Sequence, residues 1–219
     1  MTQTTDFDQL LKSLTKKLAA AQYAVSPAAQ EQLIHYLQLL IQWNQAYNLT
    51  SVRDPQEMIT RHILDSLSIS PYLQGQRILD VGTGAGLPGI PLALTQPQRE
   101  FVLNDSNGKK TRFLTQVVLT LKIPNVTISQ ARVEQLPSTP CFDSIVSRAF
   151  SSIAEFVNLT QHLCCENGCW LAMKGENPTK EIAELDDQFS TIVYDLTVKG
   201  LDAKRHLVSI KRQHQTTRP

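Results

Sequence analysis

Apolar residues recur at helical spacing in three segments near the N-terminus. The first segment carries a single apolar stripe, formed by Phe7, Leu10, Leu11, Leu14 and Leu18. A second helix is predicted to begin at Ser26-Pro27, a typical helix entry, and to end at 48–50. A third is predicted from about Pro55 to a break before Pro71. Together these segments predict a helical cap over residues 1–74.

After residue 75, short apolar runs alternate with helical segments. Five buried strands are predicted, at 77–81, 101–105, 126–129, 142–147 and 169–174. A polar helix is predicted from Pro178 to about Asp187, and two longer strands near 190–199 and 205–212, joined by a short turn at Gly200–Ala203. Alternating strands and helices form parallel sheets, whereas a tight connection pairs its strands antiparallel. We therefore expect an α/β domain over 75–219, with a mostly parallel seven-stranded sheet and an antiparallel last strand.

A glycine-rich segment follows the first strand. It reads Asp80-Val-Gly82-Thr-Gly84-Ala-Gly86-Leu-Pro-Gly89. Open α/β sheets bind ligands at the carboxyl ends of their strands, and glycines there allow the backbone to approach a ligand closely. The part from Gly84 to Gly89 also satisfies the G-x-G-x-x-G fingerprint of dinucleotide sites. An NAD(P)-dependent oxidoreductase is therefore one possible interpretation.

Two features favour a different ligand. Asp80 lies two residues before Gly82, near the end of the strand, where a carboxylate would repel a pyrophosphate but suit the ammonium group of an amino acid. The strand is predicted to end at Val81, so the dinucleotide fingerprint would begin two residues late. Asp105, at the end of the second strand, does not discriminate, because an acid there can accept hydrogen bonds from ribose in either cofactor. The pattern favours S-adenosylmethionine.

Asp-x-Gly-x-Gly-x-Gly followed by an acid that ends the second strand resembles the Rossmann-like class I methyltransferases. Longer strings resemble one family of them, the bacterial small-subunit (16S) ribosomal RNA guanine-N7 methyltransferases, also called glucose-inhibited division protein B. The resemblance runs from about residue 30 to the end of the chain. The strings are WNQAYNLTSVRDPQEMITRHILDSL (43–67), DVGTGAGLPGIPLA (80–93), SRAF (147–150), MKG (173–175) and RHLVSIKR (205–212).

The resemblance implies methyl transfer from S-adenosyl-L-methionine to N7 of one guanine in the small-subunit RNA. The residues expected at the cofactor are Asp80, Gly82, Gly84, Leu87, Asp105, Val133, Glu134 and Arg148. Residues 147–150 lack the N/D-PP-Y loop of amino-methyltransferases, which argues against an exocyclic amine as the acceptor.

Guanine N7 carries a lone pair and no proton, so it can attack the methyl group without a general base. We therefore expect no catalytic acid–base residue, and catalysis by positioning alone. The N7 edge lies in the deep groove of an A-form helix, which side chains do not reach. The target should be an unpaired or exposed base.

The whole chain has a net charge of +1, but its C-terminal end is basic. From Lys199 onward there are six basic residues and one acidic residue, Asp202. Such an end fits contact with a polyanion, and it also fits a solvated strand and tail. The expected partner is small-subunit ribosomal RNA or the 30S particle, with no obligate protein partner. The expected RNA contacts are Arg132, Lys174, Arg205 and Lys211.

Two further function classes stay open at this point. A non-catalytic RNA-binding module that keeps a cofactor pocket would explain the basic end and the missing base. A small-molecule methyltransferase is also open, because a cap lined with Trp43, Tyr47, Arg53 and Arg61 could serve either RNA or a small substrate.

The remaining signals concern location, metals and thiols. No apolar run approaches the roughly 20 residues of a membrane span and no signal peptide is recognised, so we expect a cytoplasmic protein. The four cysteines are predicted to be buried or half-buried reduced thiols, and no metal site is expected. His62 and Asp65 share a helix face, where we expect a hydrogen-bonded link that docks the cap onto the sheet.

Overall fold

A computed structural model of the 219-residue chain describes residues 7–148, 150 and 152–213. Its centre is a seven-stranded sheet with the strand order β3-β2-β1-β4-β5-β7-β6. Only β7 runs antiparallel to its neighbours, β5 and β6. The strands are β1 (Arg77–Val81), β2 (Glu100–Asn104), β3 (Val126–Ser129), β4 (Phe142–Ser147), β5 (Cys164–Lys174), β6 (Phe189–Asp195) and β7 (His206–Arg212). The predicted sheet is confirmed.

Four of the helices begin directly after a capping side chain. Ser26, Asp54, Asn107 and Ser152 each accept a hydrogen bond from a backbone N–H in the first turn that follows. The helices are α1 (Phe7–Ala20), α2 (Pro27–Tyr47), α3 (Pro55–Met58), a π-helix (Ile59–Leu64), α4 (Asp65–Leu67), α5 (Gly89–Thr95), α6 (Gly108–Leu121), α7 (Ile153–Thr160) and α8 (Thr179–Ile182), with 3-10 turns at Ser70–Tyr72 and Val133–Gln135.

Three predicted elements differ from the structure. β5 begins at Cys164 instead of 169, because its pairing with β4 continues across a bulge between Phe142 and Ser144. Gly168 lies in this bulge, where a Cβ would be 3.0 Å from the Phe142 carbonyl oxygen. The polar helix predicted from Pro178 to about Asp187 is only the single turn α8, because its sequence has no continuous apolar face to bury. The last two strands are joined by residues 196–205, not by a four-residue turn.

The prediction of four reduced cysteines is wrong for two of them. Cys141 and Cys165 form a disulfide, with Cα atoms 5.1 Å apart. They meet because Phe142 pairs with Cys164 in neighbouring strands, a proximity that the sequence spacing does not show. Cys164 and Cys169 are free and buried, as expected. Within the described residues no group of three or more His, Cys, Asp or Glu side chains could hold a metal ion.

The cap and one face of the sheet share a single apolar core. Leu14 of α1, Leu37 of α2 and Ile78 of β1 are all fully buried in it. The segment from Met58 to Ile69 is buried throughout except at Arg61, because its π-helix turns polar as well as apolar residues inward. This burial directs Asp65 towards the carboxyl edge of the sheet.

Candidate active site

The glycine loop leaves β1 at Val81 and returns as helix α5. Gly82, Gly84 and Gly86 have φ values of +65°, +60° and +91°, which L-residues rarely adopt. A Cβ on Gly89 would lie 2.2 Å from Leu103 Cδ2 and 2.7 Å from Asp80 Oδ2. The loop conformation therefore requires glycine for two separate reasons, backbone dihedrals and close packing.

Asp80 lies beneath this loop and is fully buried. Its Oδ2 accepts hydrogen bonds from Thr83 Oγ1 (2.6 Å) and from the Gly89 amide (2.8 Å). Its Oδ1 is buried and has no partner among the described residues. Burial raises the pKa of the carboxyl to about 7, against the two hydrogen bonds, which lower it. Asp80 therefore braces the loop from inside and keeps one unpaired oxygen.

A cleft of about 390 Å³ opens where β1, β2 and β3 end, a size usual for a small-molecule site. Four residues predicted at the cofactor line it, namely Gly82, Asp105, Val133 and Glu134. Arg132, predicted as an RNA contact, lines the same cleft. Other lining residues were not among the predicted site residues, and these are Val81, Asn104, Ser106, Lys110, Ala131, Phe150, Glu155 and Leu159.

Asp105 is held in place by three donors. The Gly84 amide (3.0 Å) and Lys110 Nζ (3.2 Å) reach Oδ2, and the Asn107 amide (2.9 Å) reaches Oδ1. Gly84 thus contributes to the site through Asp105, although it does not line the cleft. Lys110 lies in the first turn of α6, and nothing in its spacing from Asp105 marked it as a partner.

A second pocket, of about 190 Å³, lies at the junction of the cap and the sheet. We call it the arginine pocket; its lining residues are Asp65, Arg148, Met173, Lys174, Gly175 and Arg205. Arg148, predicted at the cofactor, lies here beside Lys174 and Arg205, which were predicted at the RNA. The structure therefore brings three of the predicted cations together around one carboxylate that the sequence assigned only to docking.

Asp65 is 2% exposed and contacts both arginines. Its Oδ1 accepts from Arg205 Nε at 2.9 Å, and its Oδ2 lies 3.2 Å from Arg148 Nη1. The expected docking link between cap and sheet is thus made by Asp65. His62 instead bonds within the cap, with Nε2 2.9 Å from Thr50 Oγ1.

His62 is an electrically neutral part of this junction. Burial, and then the nearby Arg148 cation, lower its pKa to about 4. Its Nδ1 is buried without a partner among the described residues. A neutral imidazole here avoids placing a further charge beside Arg148.

Two predicted site residues lie elsewhere. Leu87 packs into the main core and is 8% exposed. Lys211 lies near the far end of β7, some 17 Å along the strand from His206 at about 3.4 Å per residue. The structure therefore does not bring Lys211 to the arginine pocket. Ala149 of the 147–150 string and Arg218 of the basic end lie outside the described residues.

Most of the chain matches one known protein family. The profile of the family described as rRNA small subunit methyltransferase G matches residues 29–208. The chain belongs to this family. A family member from Salmonella paratyphi B is 51% identical over 203 residues, which cover 92% of this chain and 98% of the relative. One from Escherichia coli O17:K52:H18 is 50% identical over the same coverage. The resemblance found in the sequence is confirmed.

Solved structures agree with the fold expected of rRNA small subunit methyltransferase G proteins. The magnesium protoporphyrin IX methyltransferase from Synechocystis, solved with bound SAM, has a TM-score of 0.56 at 15% identity and covers 80% of this chain and 97% of its own. The ribosomal protein L11 methylase from Lactobacillus delbrueckii has a TM-score of 0.53 at 14% identity, over 69% and 77%. The class I methyltransferase fold is confirmed, and the oxidoreductase interpretation is not favoured. Every helix among the described residues is too short or too polar to span a lipid bilayer.

Proposed function

We propose that this protein transfers a methyl group from S-adenosyl-L-methionine to N7 of a specific guanine in 16S ribosomal RNA. The observation that carries the proposal is the pairing of two sites in a chain of this family. A cleft with a positioned acid, Asp105, lies at the carboxyl ends of β1 to β3, and the arginine pocket lies at the ends of β4 and β5. The first suits a nucleoside and the second suits an anionic substrate.

The residues of the cleft fit the cofactor. Asp105 is oriented to accept hydrogen bonds from ribose hydroxyls, and Val133 and Glu134 would flank the adenine. The glycine loop lets the backbone approach the methionine part, and the unpaired Asp80 Oδ1 beneath it would accept a hydrogen bond from the ammonium group, whose charge would favour the ionised carboxylate. When bound, the cofactor would supply a methyl group on its positively charged sulfur; as N7 bonds to the methyl carbon, the carbon–sulfur bond would break and S-adenosylhomocysteine would leave as a neutral thioether.

The chain's own task is then to orient two reactants. N7 needs no proton removed, so residues that hold the guanine against the cleft are sufficient for catalysis. Holding reactants in a productive geometry can supply several kcal/mol of the barrier reduction. We assign no acid–base residue.

On the RNA side, Arg148, Lys174 and Arg205 are the proposed contacts. Arg132 lines the cofactor cleft and could reach a phosphate at its rim, while Lys211 would contact only a distant part of the RNA. We further propose that the substrate is met on the 30S particle or its RNA, in the cytoplasm, without an obligate protein partner.

The proposal can be tested by label transfer. Small ribosomal subunits from cells that lack the enzyme are incubated with the purified protein and tritiated cofactor, alongside large subunits as the control. We expect about one methyl group per small subunit, recovered as 7-methylguanine after hydrolysis. Absence of label from small subunits and from their deproteinised RNA, with the cofactor bound, would leave only a non-catalytic module.

A further inference from the structure

The arginine pocket is assembled from three separate parts of the chain. Asp65 comes from α4 of the cap, Arg148 follows β4, and Arg205 precedes β7. Lys174, the last residue of β5, lies between them in the sheet and ion-pairs with Glu181 at 2.6 Å. Three cations and one carboxylate line a pocket of about 190 Å³, which gives the lining a net charge of +2.

Asp65 contacts one side of each of the two guanidinium groups. Arg205 donates from Nε to Asp65 and from Nη1 to the Lys204 carbonyl (3.0 Å). Its Nη2 makes no hydrogen bond within the described residues. Arg148 lies with Nη1 3.2 Å from the other carboxylate oxygen but without hydrogen-bond alignment. Each arginine is thus anchored at one side and retains donor capacity at the other.

The pocket is open in front of Arg205 because the residue beside it, Gly175, has no side chain. The nearest atom to a Cβ built on Gly175 is Arg205 Nη1, at 3.7 Å. No side chain at this position fills the space in front of Arg205. Planar guanidinium groups with free N–H donors match the oxygen geometry of a phosphate.

We propose that the arginine pocket is a subsite for one phosphate of the substrate RNA and that Asp65 is the residue that positions its two arginines. This inference rests on the proposed function, because it takes RNA to be the substrate. Asp65 does not itself contact RNA, since it is 2% exposed and both its oxygens face arginines. It acts by orienting Arg148 and Arg205.

The sign of a charge effect separates positioning from simple electrostatics. Removing Asp65 raises the net charge of the pocket lining, which by long-range attraction alone would tighten the binding of a polyanion. If Asp65 positions the arginines, removing it weakens binding in spite of the added positive charge. Glu57 provides a matched control. It is an exposed acid that lies just before the π-helix, whereas Asp65 lies just after it, and it pairs with Arg61 on the surface.

The experiment compares full-length wild-type protein with Asp65→Asn and Glu57→Gln. RNA affinity is measured with unmethylated small subunits at several salt concentrations, cofactor affinity by calorimetry, and folding by circular dichroism. For Asp65→Asn we expect about tenfold weaker RNA binding, with the slope of log K against log [salt] smaller by about 0.7 to 0.9, the value for one phosphate. Cofactor affinity should change less than twofold, and Glu57→Gln should resemble the wild type.

Each other outcome overturns the inference in a recognisable way. Unchanged or tighter RNA binding would show that Asp65 does not position the arginines. Weaker binding with an unchanged salt slope would assign the pocket to the guanine base instead of a phosphate. If Asp65→Asn does not fold, Arg205→Lys decides, because it keeps the charge but loses the planar fork. The same loss is then expected, and wild-type affinity would overturn the inference.

Failure of the proposed function would look different. A wild-type protein that binds small subunits without methylating them refutes methyl transfer, whereas the phosphate subsite is judged from binding alone. A wild-type protein that methylates, with Asp65→Asn binding RNA normally, refutes only the subsite.

Discussion

Two buried ionisable side chains make the stability of the protein depend on pH in opposite directions. The pKa of Asp80 is raised by burial from 3.8 to about 7, so its contribution to stability is largest at low pH and is lost as the pH rises from about 4 to 7. The pKa of His62 is lowered from 6.5 to about 4, so its contribution is lost as the pH falls through that range. Each effect amounts to a few kcal/mol, at about 1.4 kcal/mol per pH unit, and the two partly cancel.

Replacing Asp80 by asparagine should remove the pH-dependent contribution of Asp80 to the free energy of unfolding. The amide oxygen can still accept from Thr83 and Gly89, but nothing is left to ionise. We expect the free energy of unfolding of Asp80→Asn, relative to wild type, to be higher by about 2 kcal/mol or more at pH 8 than at pH 4.5. Urea unfolding at the two pH values measures this difference. An equal effect at both pH values would mean that Asp80 is ionised throughout.

At the level of single residues, sequence motifs located the cofactor cleft but not the contacts that organise it. Gly82, Asp105, Val133 and Glu134 line the cleft because the motif fixes their places at strand ends. The meeting of Asp65 with two arginines could not be predicted, because it depends on how the cap docks on the sheet. The sequence likewise did not indicate that Lys174 lines the arginine pocket whereas Lys211 lies near the far end of β7.

At the level of elements, helix α2 supports the glycine loop directly. Tyr36 is fully buried, and its hydroxyl donates to the Ala85 carbonyl at 2.8 Å. Strand positions followed from apolar runs that end in glycine or polar residues. The π-helix did not, because a buried helix with polar residues on its inner side has no simple amphipathic pattern.

Tyr36→Phe should loosen the glycine loop, because it removes the hydroxyl but keeps the aromatic ring packed in the core. It leaves a buried carbonyl unsatisfied, which costs about 1–3 kcal/mol. We expect a lower free energy of unfolding and a severalfold higher Kd for the cofactor, measured by urea unfolding and calorimetry. Tyr47→Phe is the control, because it removes a hydroxyl from an exposed position on the same helix. Equal behaviour of the two variants would show that the Tyr36 bond does not support the loop.

At the level of the whole molecule, the motifs implied the class I fold and therefore its sheet, but they did not predict how far the cap and the sheet share one core. The core residues of α1 and α2 pack with those of β1 and β2, so that 1–74 and 75–219 are proposed to form one integrated unit. Apolar stripes show that a helix is buried, yet they do not name the surface that buries it.

The two tryptophans can test this unity. Trp43 lies in the cap and Trp170 in the sheet, where its indole N–H donates to Thr160 Oγ1 at 2.9 Å. Variants that keep one tryptophan, Trp170→Phe and Trp43→Phe, are unfolded in urea and followed by fluorescence and by far-UV circular dichroism. We expect the two signals to coincide within each variant. A fluorescence midpoint for Trp43 well below the circular dichroism midpoint would show that the cap unfolds separately.

Methylation at N7 of one guanine can be seen directly in ribosomal RNA from cells. Small-subunit RNA is prepared from cells with the gene, without it, and with it restored, and is digested and mapped by mass spectrometry. We predict one 7-methylguanine that is present, absent and present again in the three samples. An unchanged methylation pattern, or loss of a methyl group from a different atom, would contradict the proposed reaction.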